Sequence, residues 1–303
     1  MANLKDIRIR RNSVQATKKI TSAMKMIAAA KLRKAQDQAQ AARPYAEYMG
    51  KMLADLLWRQ EQLKSVPKLL AGSGKDDHHL ILVVTSNRGL CGSFNSSIVR
   101  EARHVMRDLA SEQKNFSVYC VGRKAYEQLR FDYGDKIIAH KLVTAKPSFH
   151  DADTIAMDVI ERFERGDFDH CTLIYNRFVT ALTQKVTNHR LIPFSHIEED
   201  VSTDAPADTS KKPQSETVES IYEYEPSQEA VLNSLLPKNI KVQIFRALLE
   251  SAASEHSARM AAMDSATRNA DDMIKRLNLT YNRTRQAHIT KELIEIISGA
   301  DAL

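Results

Sequence analysis

Met24–Gln36 reads MKMIAAAKLRKAQ. Alanine, leucine, methionine, lysine and arginine are all strong helix formers, and neither glycine nor proline interrupts them. At about 3.6 residues per turn, however, Met24, Met26, Ile27 and Leu32 cannot share one face while Lys25, Lys31, Arg33 and Lys34 take the other. Such a helix has apolar contacts to make on more than one flank. It also keeps cations among them.

Working outward, Ala2 to Arg43 lacks both breakers, which predicts one long helix, kinked or paused at Pro44 and resuming toward about Arg59. Lys238 to Ser298 lacks them too, with Pro237 in front and Gly299 behind as start and stop signals. At about 1.5 Å per residue the second rod reaches roughly 90 Å, too long for a compact domain. Heptads run through it, with Val242, Leu249, His256, Met263, Ala270 and Leu277 in one series and Phe245, Ala252, Arg259, Ala266, Met273 and Thr280 in its companion. In the first rod Ile7, Val14, Thr21, Ala28, Ala35 and Ala42 form one register, and Arg11, Lys18 and Lys25 interrupt the other between Leu4 and Leu32. Small alanines permit close approach and the polar interruptions fix register. Rods from opposite ends of one chain can pair antiparallel.

Between them the pattern changes. Strand-like runs at His79–Thr85, Phe116–Val121, Lys136–His140, Thr172–Tyr175 and Thr183–Ile192 alternate with helical stretches at Ser96–Gln113, Arg123–Arg130 and Asp151–Arg165. The fold class expected is α/β, a mostly parallel sheet covered by helices beside an antiparallel coiled coil. The division is residues 1–60 and 227–303 for the shaft and 76–226 for the sheet domain. Glu198–Glu216 is acidic and rich in Ser, Thr and Pro, as an exposed loop is; Tyr222–Glu225 alternates like a strand.

Composition excludes several classes. The longest apolar run, Leu80–Val84, falls far short of a membrane span, and no apolar block follows the charged N-terminus as a signal peptide requires. Cys91, Cys120 and Cys171 lack metal or redox spacing and read as reduced thiols of a cytoplasmic protein. GSGK at Gly72–Lys75 lacks the remaining residues of a phosphate loop and precedes the first strand, so it reads as a turn. SNRGLCGSFN at Ser86–Asn95 follows a strand and opens a helix, but its glycine spacing is wrong for a dinucleotide and no histidine base accompanies Cys91. His78 and His79 point to opposite faces of a strand, and His150 beside Asp151 and Asp153 lacks a repeated ligand spacing, so neither makes a metal site. No cofactor, metal or catalytic set is expected.

The net charge of +6 is concentrated in the first rod, where Lys5, Arg8, Arg10, Arg11, Lys18, Lys19, Lys25, Lys31, Arg33 and Lys34 face one acid, Asp6. Ile20, Met24 and Ile27 lie off the Ile7–Ala28 register and stay bare if one partner helix covers the other side.

MKMIAAAKLRKAQ, SNRGLCGSFN and YNRTRQAHITKELIEIISGA (Tyr281–Ala300) together resemble the gamma subunit of F-type ATP synthases, in the right order and over nearly the whole chain. The resemblance implies an antiparallel coiled coil of terminal helices with a Rossmann-like domain, serving as the rotor shaft and not as a catalyst. Its implied partners are the alpha and beta subunits of the catalytic hexamer, the epsilon subunit, the membrane c-ring and an inhibitor subunit. Arg285, Gln286, Thr290 and Glu292 would meet loops of the beta subunits, with Met24 and Lys25 near an acidic beta segment. Ser220–Pro226 would lie toward the foot. Lys18 and Lys19 are expected to share the coupling with Lys25, while Ile20 and Ile27 present the bare apolar surface. Asn87 stands where the family usually has aspartate, and Ser93 where a second glycine is common. A start at Met1 without an Arg- and Ser-rich transit segment points to a bacterial protein on the cytoplasmic face of the inner membrane. A basic rod could instead bind nucleic acid or anionic membrane, which leaves the second rod unexplained. An enzyme on the sheet domain would need a convergent catalytic set.

Overall fold

The computed structural model describes residues 4–58, 67–144, 146–181, 183–194 and 228–300. The Glu198–Glu216 loop and the Tyr222–Glu225 and Ser220–Pro226 segments lie outside them. Helix α1 (Leu4–Trp58) and helix α6 (Gln228–Ala300) are single helices of 55 and 73 residues. At 1.5 Å per residue they measure about 80 and 110 Å.

Both run through a proline, Pro44 in α1 and Pro237 in α6. The second rod therefore begins ten residues before Lys238, and it continues through Gly299. The reason lies in packing. Met49 and Leu53, beyond Pro44, are buried against Leu232 and Leu236, before Pro237. An interior proline costs about 3 kcal/mol, and burying each large apolar side chain returns about 1.5–3 kcal/mol, so four of them hold both ends helical.

Between the rods stand α2 (Lys68–Ala71), β1 (His78–Val84), α3 (Phe94–Ser111), β2 (Asn115–Val121), α4 (Arg123–Tyr133), β3 (Ile137–Lys141), α5 (Phe149–Arg165), β4 (His170–Phe178) and β5 (Gln184–Ile192). Strand order is β3-β2-β1-β4-β5; the first four are parallel and β5 runs antiparallel to β4. Alternate residues of β1 serve opposite faces. Ile81 and Val83 pack with Ile98 and Met106 of α3 and Leu129 of α4, whereas Leu80, Leu82 and Val84 pack with Ile155 and Val159 of α5.

The second of these cores also contains Ile240, Ile244, Ala247 and Leu248 of α6. The shaft helix is thus a structural layer of the sheet domain.

That placement decides what the domain can do. In a doubly wound sheet, ligands enter at the carboxyl ends of the strands where the strand order reverses, here between β1 and β4. At that edge α6 is bonded in place: Ser254 Oγ donates to the Asn176 carbonyl at 3.1 Å, Ser257 Oγ donates to that of Ala181, and Gln184 Nε2 donates to Ser257 Oγ at 3.0 Å. Arg259 reaches the Gly89 carbonyl at 3.2 Å. The chain's own helix covers the crevice and leaves a hollow over the carboxyl ends of β1 and β2.

Candidate subunit interface

Along the coiled coil the two rods interlock in one register. On α1, Ile7, Thr21, Ala28 and Ala35 are buried, and on α6 so are Val242, Leu249, His256, Met263 and Ala270. The companion α6 series fades toward the tip, where Met273 and Thr280 are exposed. Each polar interruption of α1 finds a partner on α6. Arg11 lies over the Tyr281 ring at 5.6 Å, Lys18 Nζ meets Asp271 Oδ1 at 2.6 Å, and Lys25 Nζ meets Asp264 Oδ1 at 2.6 Å. Between the ion pairs, Thr267 Oγ1 donates to Thr21 Oγ1 at 2.8 Å. The hydrogen bond from Lys25 holds the Asp264 carboxyl below its ordinary value, and that from Lys18 does the same for Asp271.

On α1 the residues expected to touch partners divide into three groups. Lys18 and Lys25 reach across to their own partner helix. Lys19, Ile20 and Ile27 face outward, Ile20 and Ile27 being 60% and 57% exposed. Met24 is half-buried and lines a hollow of about 530 Å³ between α1, the Asn87–Leu90 turn and Arg259 of α6.

Arg285, Gln286, Thr290 and Glu292 are all exposed. Thr290 Oγ1 donates to the Gln286 carbonyl at 2.9 Å, and Glu292 pairs with His288 at 3.1 Å, both within α6. Carrying the Lys18–Asp271 register back to Leu4 brings it level with about residue 285. Among the described residues, α6 continues beyond that point without α1 beside it for roughly 20 Å. Leu293, Ile294, Ile296 and Ile297 of this stretch are each more than half exposed. Sequence reasoning missed these leucine and isoleucine side chains as a surface, and also missed Asp264 and Asp271. The signal for the acids was present: they stand one heptad apart, as Lys18 and Lys25 do.

The Ser86–Asn95 turn has its own internal bonding. Asn95 Nδ2 donates to Cys91 Sγ at 3.1 Å, Asn95 Oδ1 accepts from the Ser86 backbone N–H at 3.0 Å, and Cys91 is buried, which pushes its thiol pKa up. A protonated, enclosed thiol is a packing group and not a nucleophile. Asn87 donates to the Val143 carbonyl at 2.6 Å and accepts from Arg123 N–H at 3.0 Å. An ionised aspartate could supply only the second bond. Asp151 is engaged in a capping box with Ser148, and Asp153 pairs with Lys241 at 2.6 Å. Among the described residues no His, Cys, Asp or Glu group is arranged to hold a metal.

Comparison with known proteins agrees with this architecture. The family model described as ATP synthase matches residues 3–303. The chain is 50% identical over 305 residues to the ATP synthase gamma chain of Rhodospirillum rubrum and 51% identical over 307 residues to that of Jannaschia sp., each match covering all of both chains. Among solved structures, it resembles a chain in the central stalk and c-ring of the Tetrahymena thermophila mitochondrial ATP synthase, at 27% identity and a TM-score of 0.58, covering 82% of this chain and 99% of that one. A chain from the Euglena gracilis mitochondrial ATP synthase shares the fold at 22% identity and a TM-score of 0.66, covering 99% and 94%. With full-length relatives at half identity, the chain belongs to the ATP synthase gamma chain family.

Proposed function

We propose that this chain is the central rotor shaft of an F-type ATP synthase, carrying torque between a membrane c-ring and the catalytic beta subunits, and that it contributes no catalytic group itself. The observation that carries this reading is the unsheathed tip. Among the described residues α6 runs about 20 Å past α1, with Leu293, Ile294, Ile296 and Ile297 exposed along one broad flank, an apolar surface of the kind that other chains cover. Its apolar flank also resists being trapped at any one angle, because such contacts are non-directional.

In this reading Arg285, Gln286, Thr290 and Glu292 face loops of the beta subunits, and alternating alpha and beta subunits form the collar. Lys19, Ile20 and Ile27 present the outer face of the lower shaft, with Met24 beside them. Lys18 and Lys25 act at one remove, by locking α1 to α6. That pairing also removes two cations from any nucleic-acid surface. The wide end, where Met49, Leu53, Leu232 and Leu236 join the rods, faces the epsilon subunit and c-ring. An inhibitor subunit would act on the same rotor. No helix of the described residues is long and apolar enough to cross a membrane, and contact with the bilayer runs through the c-ring, at the cytoplasmic face of a bacterial inner membrane.

The test uses the assembled complex in sealed vesicles. Replacing Ile20 and Ile27 with aspartate should lower ATP-driven proton pumping more than ATP hydrolysis. An unchanged ratio in a fully assembled complex would count against a torque-bearing role for this face.

A further inference from the structure

The sheet edge opposite the covered crevice, at the amino ends of β1 and β4, gathers a set of titratable side chains that shaft function does not use. His79 of β1 and His170 of β4 stack with ring centroids 4.9 Å apart and planes inclined by 23°. Both Nε2 atoms address one oxygen, Asp76 Oδ1, at 2.9 and 2.8 Å. The other oxygen takes Lys114 Nζ at 2.6 Å, and Lys114 also meets Glu112 at 2.7 Å. Asp169 and Arg190 complete the charged groups that His170 senses. His78 turns away to Ser117 Oγ at 2.9 Å.

One carboxylate oxygen cannot bond two rings equally well. His79 Nε2 and His170 Nδ1 are buried without a well-directed hydrogen bond. For both rings desolvation leads in pushing the pKa down; the positive charge of His170 comes next for His79, whereas for His170 the next effect is the opposing pull of Asp76. The Lys114 hydrogen bond holds Asp76 ionised.

The pair also sits behind a strap. Ser73 Oγ donates to Asp169, and the backbone N–H groups of Asp77 and His78 donate to Asp169 Oδ2 at 3.1 Å each. Upstream of that turn, Leu69 and Leu70 pack with Phe194 on the cluster that joins the two rods at the wide end. Residues 73–77 thus lead from this sheet edge to the base of the shaft, beside the direct packing of α6 on the sheet.

We propose that His79, His170 and Asp76 form a proton-operated latch: two neutral rings close on a shared carboxylate, and charging both drives them apart and frees the 73–77 strap. The first proton pairs with Asp76. The second places two like charges in stacked rings with one counter-charge between them, so the rings load in separate steps. Folded values below the ordinary 6.5 mean that the stabilisation is complete above that pH and is lost as pH falls through the folded values.

The experiment is an imidazole NMR titration of the full chain from pH 8 to 5, with hydrogen exchange followed at Leu80 and Cys171. The expected result is two separate steps for His79 and His170, both below the ordinary 6.5, and protection factors that fall about tenfold between pH 7.5 and 5.5. In His170→Gln, where only His79 can be charged, the loss of protection over that range should be clearly smaller than in the native chain. A single shared step for both rings at or above 6.5 overturns the proposal. So does unchanged protection in the native chain, or a loss in His170→Gln as large as in the native chain.

Discussion

Lys25 Nζ lies 2.6 Å from Asp264 Oδ1, and Lys18 repeats the contact with Asp271 one heptad nearer the tip. A slip of α1 along α6 by less than a heptad would break both pairs at once, and a slip of one full heptad would keep only one of the two. The ladder therefore specifies register more than it adds stability, because exposed pairs are individually weak. Both carboxyls are held below 3.8, so the pairs persist at neutral and mildly acidic pH and are lost only as pH falls through those lowered values. Lys25→Glu is expected to lower the melting midpoint by about 1–3 °C. Adding Asp264→Lys should restore at least half of that, measured by calorimetry.

Ser254, fully buried on α6, carries the strongest test of how the sheet domain grips the shaft. Its hydroxyl donates to the Asn176 carbonyl at the carboxyl end of β4. Ser254→Val strands that carbonyl in a dry site, at a cost of about 1–3 kcal/mol, read from denaturant unfolding. Stability equal to that of the native chain would mean that the crevice is not closed by this contact.

Gly122 ends β2 at φ +96°, and a Cβ there would stand 2.2 Å from the Thr85 carbonyl oxygen. Thr85 Oγ1 in turn accepts from Ala125 N–H at 2.8 Å, tying the start of α4 to the end of β1. Gly122→Ala combines a backbone conformation foreign to L-residues with a backbone clash. A loss of about 3 kcal/mol or more is expected, again by denaturant unfolding.

The rods were legible because helix signals accumulate over many residues: no breaker in Ala2–Arg43, a heptad through Val242, Leu249 and Met263. Their ends were less so. Pro237 is a local stop signal, and only Leu232 and Leu236 meeting Met49 and Leu53 across the fold overrides it. The alternation of strands and helices announced the sheet, and the order that places β4 beside β1 follows from the crossover carried by α5. The stacking of His79 on His170 could not be read, since nothing local to either residue records which strand will be its neighbour. The same limit hid the ion pairs that Lys18 and Lys25 make. Read singly they are cations on a basic rod, and only the pairing of α1 with α6 turns them toward Asp271 and Asp264.

The central claim is that this chain turns as a unit inside a stationary collar. The three native cysteines are buried, so Ser111→Cys on the exposed face of α3 gives a single accessible thiol for a bead. With the catalytic hexamer fixed to glass, ATP should drive that bead in continuous rotation of one sense. Full ATP hydrolysis with a bead that only jitters about a fixed angle would contradict the account.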